Sequence, residues 1–235
     1  MRTILTTLLL MLTAIAHAHY YVVCVGIADY PGRQNDLRVS ANDAMTIYNI
    51  YTKNGDADAR CLTNADATLA KVRQAMAETF AKATENDAVI FYFSGHGIPG
   101  GFVCQDGYLL YKEVVLAMGK TVAKNKMVIA DACFAGKMRA SAKNNGEEET
   151  HNSNVMFFLS SRTTEPSRET RYANSLFTIF LERGLRGGAD TNHDRTVCAR
   201  EMYDFVHKGV VEASHNKQHP VMWGNFDKNM TIIKW

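Results

Sequence analysis

Apolar runs of strand length alternate along this chain with amphipathic segments of helix length. The runs predict strands near Tyr20–Ile27, Ala59–Leu62, Ala88–Ser94, Met127–Ala130, Val155–Leu159 and Met230–Ile233. The amphipathic segments predict helices that start at about Ala41 and after Thr63, and helices over Lys112–Ala123, Leu176–Arg183 and Ala199–Val211. This alternation is typical of an α/β sheet with crossover helices, and the uniformly apolar run AVIFYFS indicates a strand buried on both faces.

Turn and cap signals support this division of the chain. Ser40 and Asp43 have the spacing of a capping box at the start of the first helix, and Thr63 and Asp66 have similar spacing before the second. The segment Gly101–Tyr111 predicts a small hairpin that turns at Asp-Gly.

The first 18 residues have the pattern of a cleaved signal peptide. Arg2 gives a positive start, Ile4–Ile15 is an apolar run, and Ala16-His17-Ala18 fits the site of a signal peptidase. An N-terminal core helix is the alternative, but the run is uniformly apolar rather than amphipathic. The mature chain is therefore expected to span residues 19–235 and to be exported, either periplasmic or secreted. No cysteine follows the site directly, so no membrane anchor is expected.

The composition is that of one globular domain. The chain has 235 residues, 46% hydrophobic and 21% charged, with a formal net charge of +2, which gives no reason to expect a nucleic-acid partner. No stretch after residue 18 is long and apolar enough to span a bilayer. Residues 137–154 are polar and charged, which predicts a mobile surface loop. The pattern does not determine the oligomeric state.

The five cysteines do not form a zinc or disulfide pattern. Cys24, Cys61, Cys104, Cys133 and Cys198 are dispersed, and no C-x-x-C pair is present. Cys24 lies within an apolar run and is interpreted as a small buried hydrophobic residue. Cys133 is the cysteine with chemically suggestive neighbours.

Two predicted strands end in reactive residues. One ends in Ser94-Gly-His96-Gly97, and the other runs into Asp131-Ala-Cys133. If the strands are neighbours, the His96 imidazole and the Cys133 thiol emerge at the same edge of the sheet, where open α/β sheets bind ligands. An adjacent imidazole can act as base for a thiol nucleophile, and the N–H groups of Gly97 and Cys133 can form an oxyanion hole.

These motifs also resemble a known family. YFSGHG (residues 92–97) and DACFAG (residues 131–136) resemble the two catalytic motifs of the caspase–metacaspase clan, and further matches occur in order between about residues 20 and 234. The resemblance implies a caspase-like three-layer α/β/α sandwich around a mostly parallel six-stranded sheet. It also implies cysteine endopeptidase activity through a His96–Cys133 dyad, without a metal or organic cofactor.

Three further residues are candidates for binding the substrate residue before the cleaved bond. Asp43 matches a position where metacaspases have an acid, Asp131 lies two residues before Cys133, and Ser160 resembles part of the pocket wall. Two carboxylates favour protein or peptide substrates with Arg, then Lys, before the cleaved bond. A capping role remains open for Asp43, and orientation of the backbone near the nucleophile remains open for Asp131.

One segment copies the ligand spacing of a calcium-binding EF-hand loop. Its matching residues are Asp190, Asn192, Asp194, Thr196 and Glu201. The sharp turn, where EF-hands carry glycine, is occupied by Arg195, and a polar turn before a helix is the alternative interpretation. Calcium-activated metacaspases also carry an acidic cluster between the catalytic motifs, whereas this interval has three dispersed acids. No metal site is therefore predicted.

Two other functional classes compete with the peptidase. One is a catalytically silent, caspase-like binding or scaffold protein, although both His96 and Cys133 are present. The other is a redox-active thiol protein, which would need a resolving cysteine near Cys133 in the sequence, and none is near.

Overall fold

The computed structural model describes residues 18–53, 56–132, 154–162 and 172–235. The predicted signal peptide therefore lies outside the described residues except for Ala18, and the predicted mobile loop lies outside them except for Asn154. Cys133 also lies outside them, directly after the last described residue of its strand, Ala132.

A six-stranded sheet forms the centre of the molecule. Its strands are β1 (Tyr20–Gly26), β2 (Ala57–Thr63), β3 (Ala88–Gly95), β7 (Asn125–Ala132), β8 (Val155–Leu159) and β10 (Val221–Gly224). Their order is β10-β8-β7-β3-β1-β2. All neighbours are parallel except β10, which runs antiparallel to β8. This confirms the predicted mostly parallel sheet of six strands.

Helices cover both faces of this sheet. They are α1 (Ser40–Lys53), α2 (Leu69–Phe80), α3 (Tyr111–Gly119), α4 (Leu176–Arg183) and α5 (Ala199–Ala213). Side chains of α2 and α3 pack on one face, and side chains of α1, α4 and α5 pack on the other. All eight residues of β3 are buried, because that central strand has a layer of helices on each side. The predicted three-layer α/β/α sandwich is confirmed.

Two small sheets lie outside the central one. Strands β4 (Gly97–Ile98), β5 (Gly101–Val103) and β6 (Tyr108–Leu110) form an antiparallel sheet directly after β3, and β9 (Thr196–Cys198) pairs with β11 (Thr231–Lys234).

The predicted strand near Met230–Ile233 is present as β11, which pairs with β9 in a small sheet. The sixth central strand, β10, was not predicted, because it has four residues and none of them is fully buried. One predicted helix start was wrong. The second helix begins later than its predicted cap. Thr68 is its N-cap and accepts a hydrogen bond from Lys71 N–H at 3.4 Å, whereas Thr63 ends a strand.

A glycine positions the start of α1 against the sheet. A Cβ atom on Gly26, at the end of β1, would lie 2.3 Å from the Ser40 carbonyl oxygen. Only glycine therefore allows the first turn of α1, which carries Asp43, to pack this closely on the strand. In the part of the chain that the structure describes, no helix has the length and apolarity needed to cross a membrane.

Candidate active site

The predicted reactive residues belong to neighbouring strands. β3 and β7 pair in parallel with Gly95 opposite Ala132, so the next residue on the β3 side is His96 and the next residue on the β7 side is Cys133. His96 is half-buried at the carboxyl edge of the sheet. The structure thus brings His96 next to the end of the strand that precedes Cys133, whose own position lies outside the described residues.

Tyr30 holds the backbone and the ring of His96. The His96 backbone N–H donates to the Tyr30 hydroxyl at 2.9 Å, and that hydroxyl donates to the Val103 carbonyl at 3.1 Å. The two rings pack with their centroids 4.7 Å apart. Gly95 is required here, since a Cβ atom on it would lie 2.6 Å from the Tyr30 hydroxyl.

A second contact determines which nitrogen of His96 carries a proton. His96 Nε2 lies 2.7 Å from the backbone carbonyl oxygen of Asn35. A carbonyl oxygen can only accept, so Nε2 is the protonated nitrogen of the neutral ring and Nδ1 keeps a lone pair. The ring is therefore oriented as a base that accepts a proton through Nδ1.

A cleft of about 610 Å³ lies beside His96, between the Tyr30–Asn35 segment and the small sheet β4–β6. Gly97, the predicted oxyanion residue, lines this cleft and pairs with Phe102 as the first residue of β4. The volume is in the range of sites that take a side chain or a short segment of a ligand.

The two predicted pocket acids lie together at the same edge. Asp43 is fully buried and Asp131 is 4% exposed. Ser94 lies beside both, because its hydroxyl donates to Asp43 Oδ2 at 2.9 Å and it is the β3 residue paired with Asp131. Asp43 comes from helix α1 and Asp131 from strand β7, so the fold joins carboxylates that are 88 positions apart in the sequence.

The segment before α4 holds these acids. The Asn174 side-chain amide and the Ser175 backbone N–H each donate to Asp43 Oδ1 at 3.0 Å. The Ser175 hydroxyl donates to Asp131 Oδ2. The three hydrogen bonds to the Asp43 carboxylate therefore come from β3 and from the segment before α4, rather than from its own helix.

Burial is unfavourable to the charge of Asp43. It raises the pKa of the Asp43 carboxyl from 3.8 to about 7, with a further contribution from the Asp131 charge, against the lowering effect of hydrogen bonds from Ser175, Asn174 and Ser94. Among the described residues, no Lys, Arg or His side chain pairs with Asp43. The site is therefore a buried acidic group with neutral donors around it.

Ser160 adds a buried hydroxyl to this edge. It is fully buried, its N–H donates to Ala130 O at 2.9 Å, and its carbonyl accepts from Gln218 Nε2 at 2.9 Å. Its side-chain oxygen has no hydrogen-bond partner within the described part of the chain. The bond to Ala130 places the Ser160 backbone beside the residue that precedes Asp131.

Several residues of the site were missed in the sequence. Ser94 gave a usable signal, because a hydroxyl interrupts an otherwise apolar strand two positions before His96. Tyr30 and Asn35 gave none, since their contacts with His96 span 66 and 61 residues and depend on the tertiary fold. In the sequence, Ser175 is recognisable only as the residue before a predicted helix, where serine commonly serves as N-cap.

The EF-hand-like segment forms a tight polar turn. Asp190 accepts from the N–H groups of Asp194 and Arg195 at 3.2 and 3.1 Å, and Arg195 adopts the left-handed backbone (φ 63°) that glycine usually provides. Glu201 accepts from Thr191 and from the Cys198 N–H. Within residues 18–53, 56–132, 154–162 and 172–235, no three His, Cys, Asp or Glu side chains form a group suited to a metal ion.

Removing calcium should have little effect on activity. The carboxylates of Asp190 and Glu201 already accept hydrogen bonds from the backbone of this segment, and Arg195 occupies the position where EF-hands carry glycine. We expect a calcium chelator to change peptide turnover less than about twofold. Turnover measured with chelator and with added calcium tests this, and strong activation by calcium would contradict it.

Comparisons with known proteins agree with this architecture. A family model of the caspase domain, Peptidase C14, matches residues 20–231. The solved structure of the protein GSU0716 from Geobacter sulfurreducens superimposes with a TM-score of 0.66 at 16% identity, over 87% of this chain and 92% of that one, which shows a shared fold. No curated protein matches the sequence significantly. Because the family model covers nearly all of residues 19–235, the chain belongs to the caspase-domain family of cysteine peptidases.

Proposed function

We propose that this protein is an exported cysteine endopeptidase that cleaves after basic residues, Arg first and then Lys, through a His96–Cys133 dyad. The observation that carries the proposal is the buried acid pair Asp43 and Asp131 beside the strand end that leads to Cys133. A pair of carboxylates at a sheet edge, with no basic partner for Asp43 among the described residues, is suited to a cationic side chain from a substrate.

The chemistry uses His96 as the base. Nδ1 accepts the thiol proton of Cys133, and the thiolate attacks the carbonyl carbon of the scissile bond. The N–H groups of Gly97 and Cys133 stabilise the oxyanion, and the imidazolium then gives its proton to the leaving amine. Water, deprotonated by the same ring, hydrolyses the thioester and restores the thiol. The bond from Nε2 to the Asn35 carbonyl supports this cycle, because it keeps the ring oriented and stabilises the imidazolium.

The contacts of His19, the first residue after the predicted cleavage site, are compatible with export. The His19 N–H donates to Asp87 Oδ1 at 3.0 Å, and the His19 carbonyl accepts from Ala88 N–H at 2.9 Å. Cleavage after Ala18 would leave His19 with its anchoring partners. The substrates in this proposal are proteins or peptides in the periplasm or the medium.

A cleavage profile on a peptide library tests the proposed function. The wild-type protein should cut after Arg, more slowly after Lys, and undetectably after Asp, and Cys133→Ala should cut none. A preference for Asp or for apolar residues would contradict the acidic pocket. A lack of turnover, together with no labelling of Cys133 by an arginyl activity probe, would instead favour the silent binding protein.

The segment after the nucleophile should be cleaved by the enzyme itself. Residues 137–154 offer Lys137, Arg139 and Lys143 in a polar segment, and such segments are preferred sites of nicking. We expect purified protein to be cut after one of these residues during incubation, with Cys133→Ala remaining whole. Mass spectrometry of the fragments would identify the site. Full activity of a chain that stays intact would contradict this expectation.

A further inference from the structure

We propose that Ser175 is a positioning residue for the basic-residue pocket, because it holds both acids and the start of helix α4 at once. This inference rests on the proposed function, and it assigns a role to a residue that acts through the two acids rather than through His96. Ser175 is 4% exposed, so its contacts with the protein are stable features of the fold.

Three hydrogen bonds define the role. The Ser175 backbone N–H donates to Asp43 Oδ1 at 3.0 Å, and its hydroxyl donates to Asp131 Oδ2. The same hydroxyl accepts from the Thr178 N–H at 3.2 Å, which makes Ser175 the N-cap of α4. A hydroxyl has one hydrogen, and since the N–H of Thr178 donates to it, that hydrogen is free to go to Asp131.

This arrangement opposes the repulsion between the acids. Asp43 and Asp131 are buried near each other, and each carboxylate raises the free energy of the other in a poorly solvated place. Ser175 supplies one donor to each of them, and it sits at the positive end of the α4 helix dipole. Both carboxylates are thereby held in place by neutral donors. Because no cation from the described part of the chain pairs with Asp43, this carboxylate is available for a substrate guanidinium.

The role predicts a specific kinetic effect. Without the hydroxyl, Asp131 loses a charge-assisted donor and its carboxylate is held less firmly, so binding of the basic side chain weakens. His96 is unaffected, since among the described residues Ser175 bonds to neither it nor its partners Tyr30 and Asn35. We therefore expect KM for an arginyl peptide to rise about tenfold or more with kcat changed less than about threefold.

Matched variants separate positioning from helix capping. Ser175→Ala removes the hydroxyl and the cap, whereas Ser175→Gly removes the hydroxyl but retains most of the capping preference. Thr68→Ala is the control, because Thr68 caps α2 in the same way and contacts neither acid. All three variants and the wild type are compared by arginyl KM and kcat, the inhibition constant of benzamidine, alkylation of Cys133 by iodoacetamide, and Tm.

Both Ser175 variants should raise arginyl KM and weaken benzamidine, with unchanged alkylation, while Thr68→Ala lowers Tm by a few degrees and leaves KM unchanged. Wild-type KM in Ser175→Gly, or equal KM changes in Ser175→Ala and Thr68→Ala, would overturn the positioning role while leaving the proposed function intact. If wild-type protein lacked arginyl turnover and bound no benzamidine, the pocket itself would be refuted, together with this role.

Discussion

Cys133→Ala and His96→Ala should each reduce peptidase activity by about a thousandfold or more while leaving the fold intact. The thiol is the nucleophile of the proposed mechanism, and the imidazole is the base that activates it. Because the two groups act as a unit, the double variant should be barely worse than either single one.

The His96→Ala variant tests the observed contacts of the ring most directly. The ring is fixed by Tyr30 and Asn35 and packs at the edge rather than in the core, so its removal should lower Tm only slightly. Cys61→Ala is the matched thiol control, since Cys61 lies half-buried on the edge strand β2 and should tolerate the change with full activity. Substantial turnover by Cys133→Ala would refute the assignment of the nucleophile.

The centre of the sheet could be predicted from the sequence because its four inner strands, β1, β3, β7 and β8, are buried on both faces. β3 and β8 are continuous apolar runs, and their observed bounds differ from the predicted ones by one residue at most. β10 was missed for the opposite reason. It is an edge strand with half-buried residues, and the stacking of Trp223 on Phe157 at 4.1 Å, which fixes it, is a contact across 66 residues.

The site was predicted only in part, for a related reason. His96 and Asp131 could be found because they follow or end apolar strands, and Asp43 was found through resemblance to metacaspases. The donors that hold these groups come from distant segments, such as Asn35 for His96 and Ser175 for Asp43. A local pattern carries no information on such partners, because a serine before a helix has the same appearance whether or not it also binds an acid.

Asp43→Asn should lower arginyl turnover by about a hundredfold without lowering stability at pH 8. The amide can keep the hydrogen bonds with Ser94, Asn174 and Ser175, but it lacks the charge that attracts a guanidinium. Arg should be affected more than Lys, because a planar guanidinium can span two carboxylates whereas an ammonium acts as a point charge. Alkylation of Cys133 should be unchanged, and a loss of Tm with normal arginyl turnover would instead show that Asp43 only joins α1 to β3 and to the segment before α4.

The pH dependence of stability and activity provides a second test of the role of the Asp43 charge in binding the substrate. The pKa of Asp43 is raised from 3.8 to about 7, so the folded protein holds the proton more tightly than the unfolded chain does. Between about pH 4 and 7, raising the pH therefore lowers the free energy of unfolding through this group, and above pH 7 that loss is constant.

The activity should change with pH in the opposite direction. Arginyl kcat/KM, divided by the rate of Cys133 alkylation to remove the titration of the dyad, should rise through pH 7 as Asp43 ionises. Asp43→Asn should lose this rise, and its Tm should fall less than that of the wild type between pH 5 and pH 8. A wild-type ratio that stays flat from pH 5 to pH 8 would show that the charge of Asp43 takes no part in recognising the substrate.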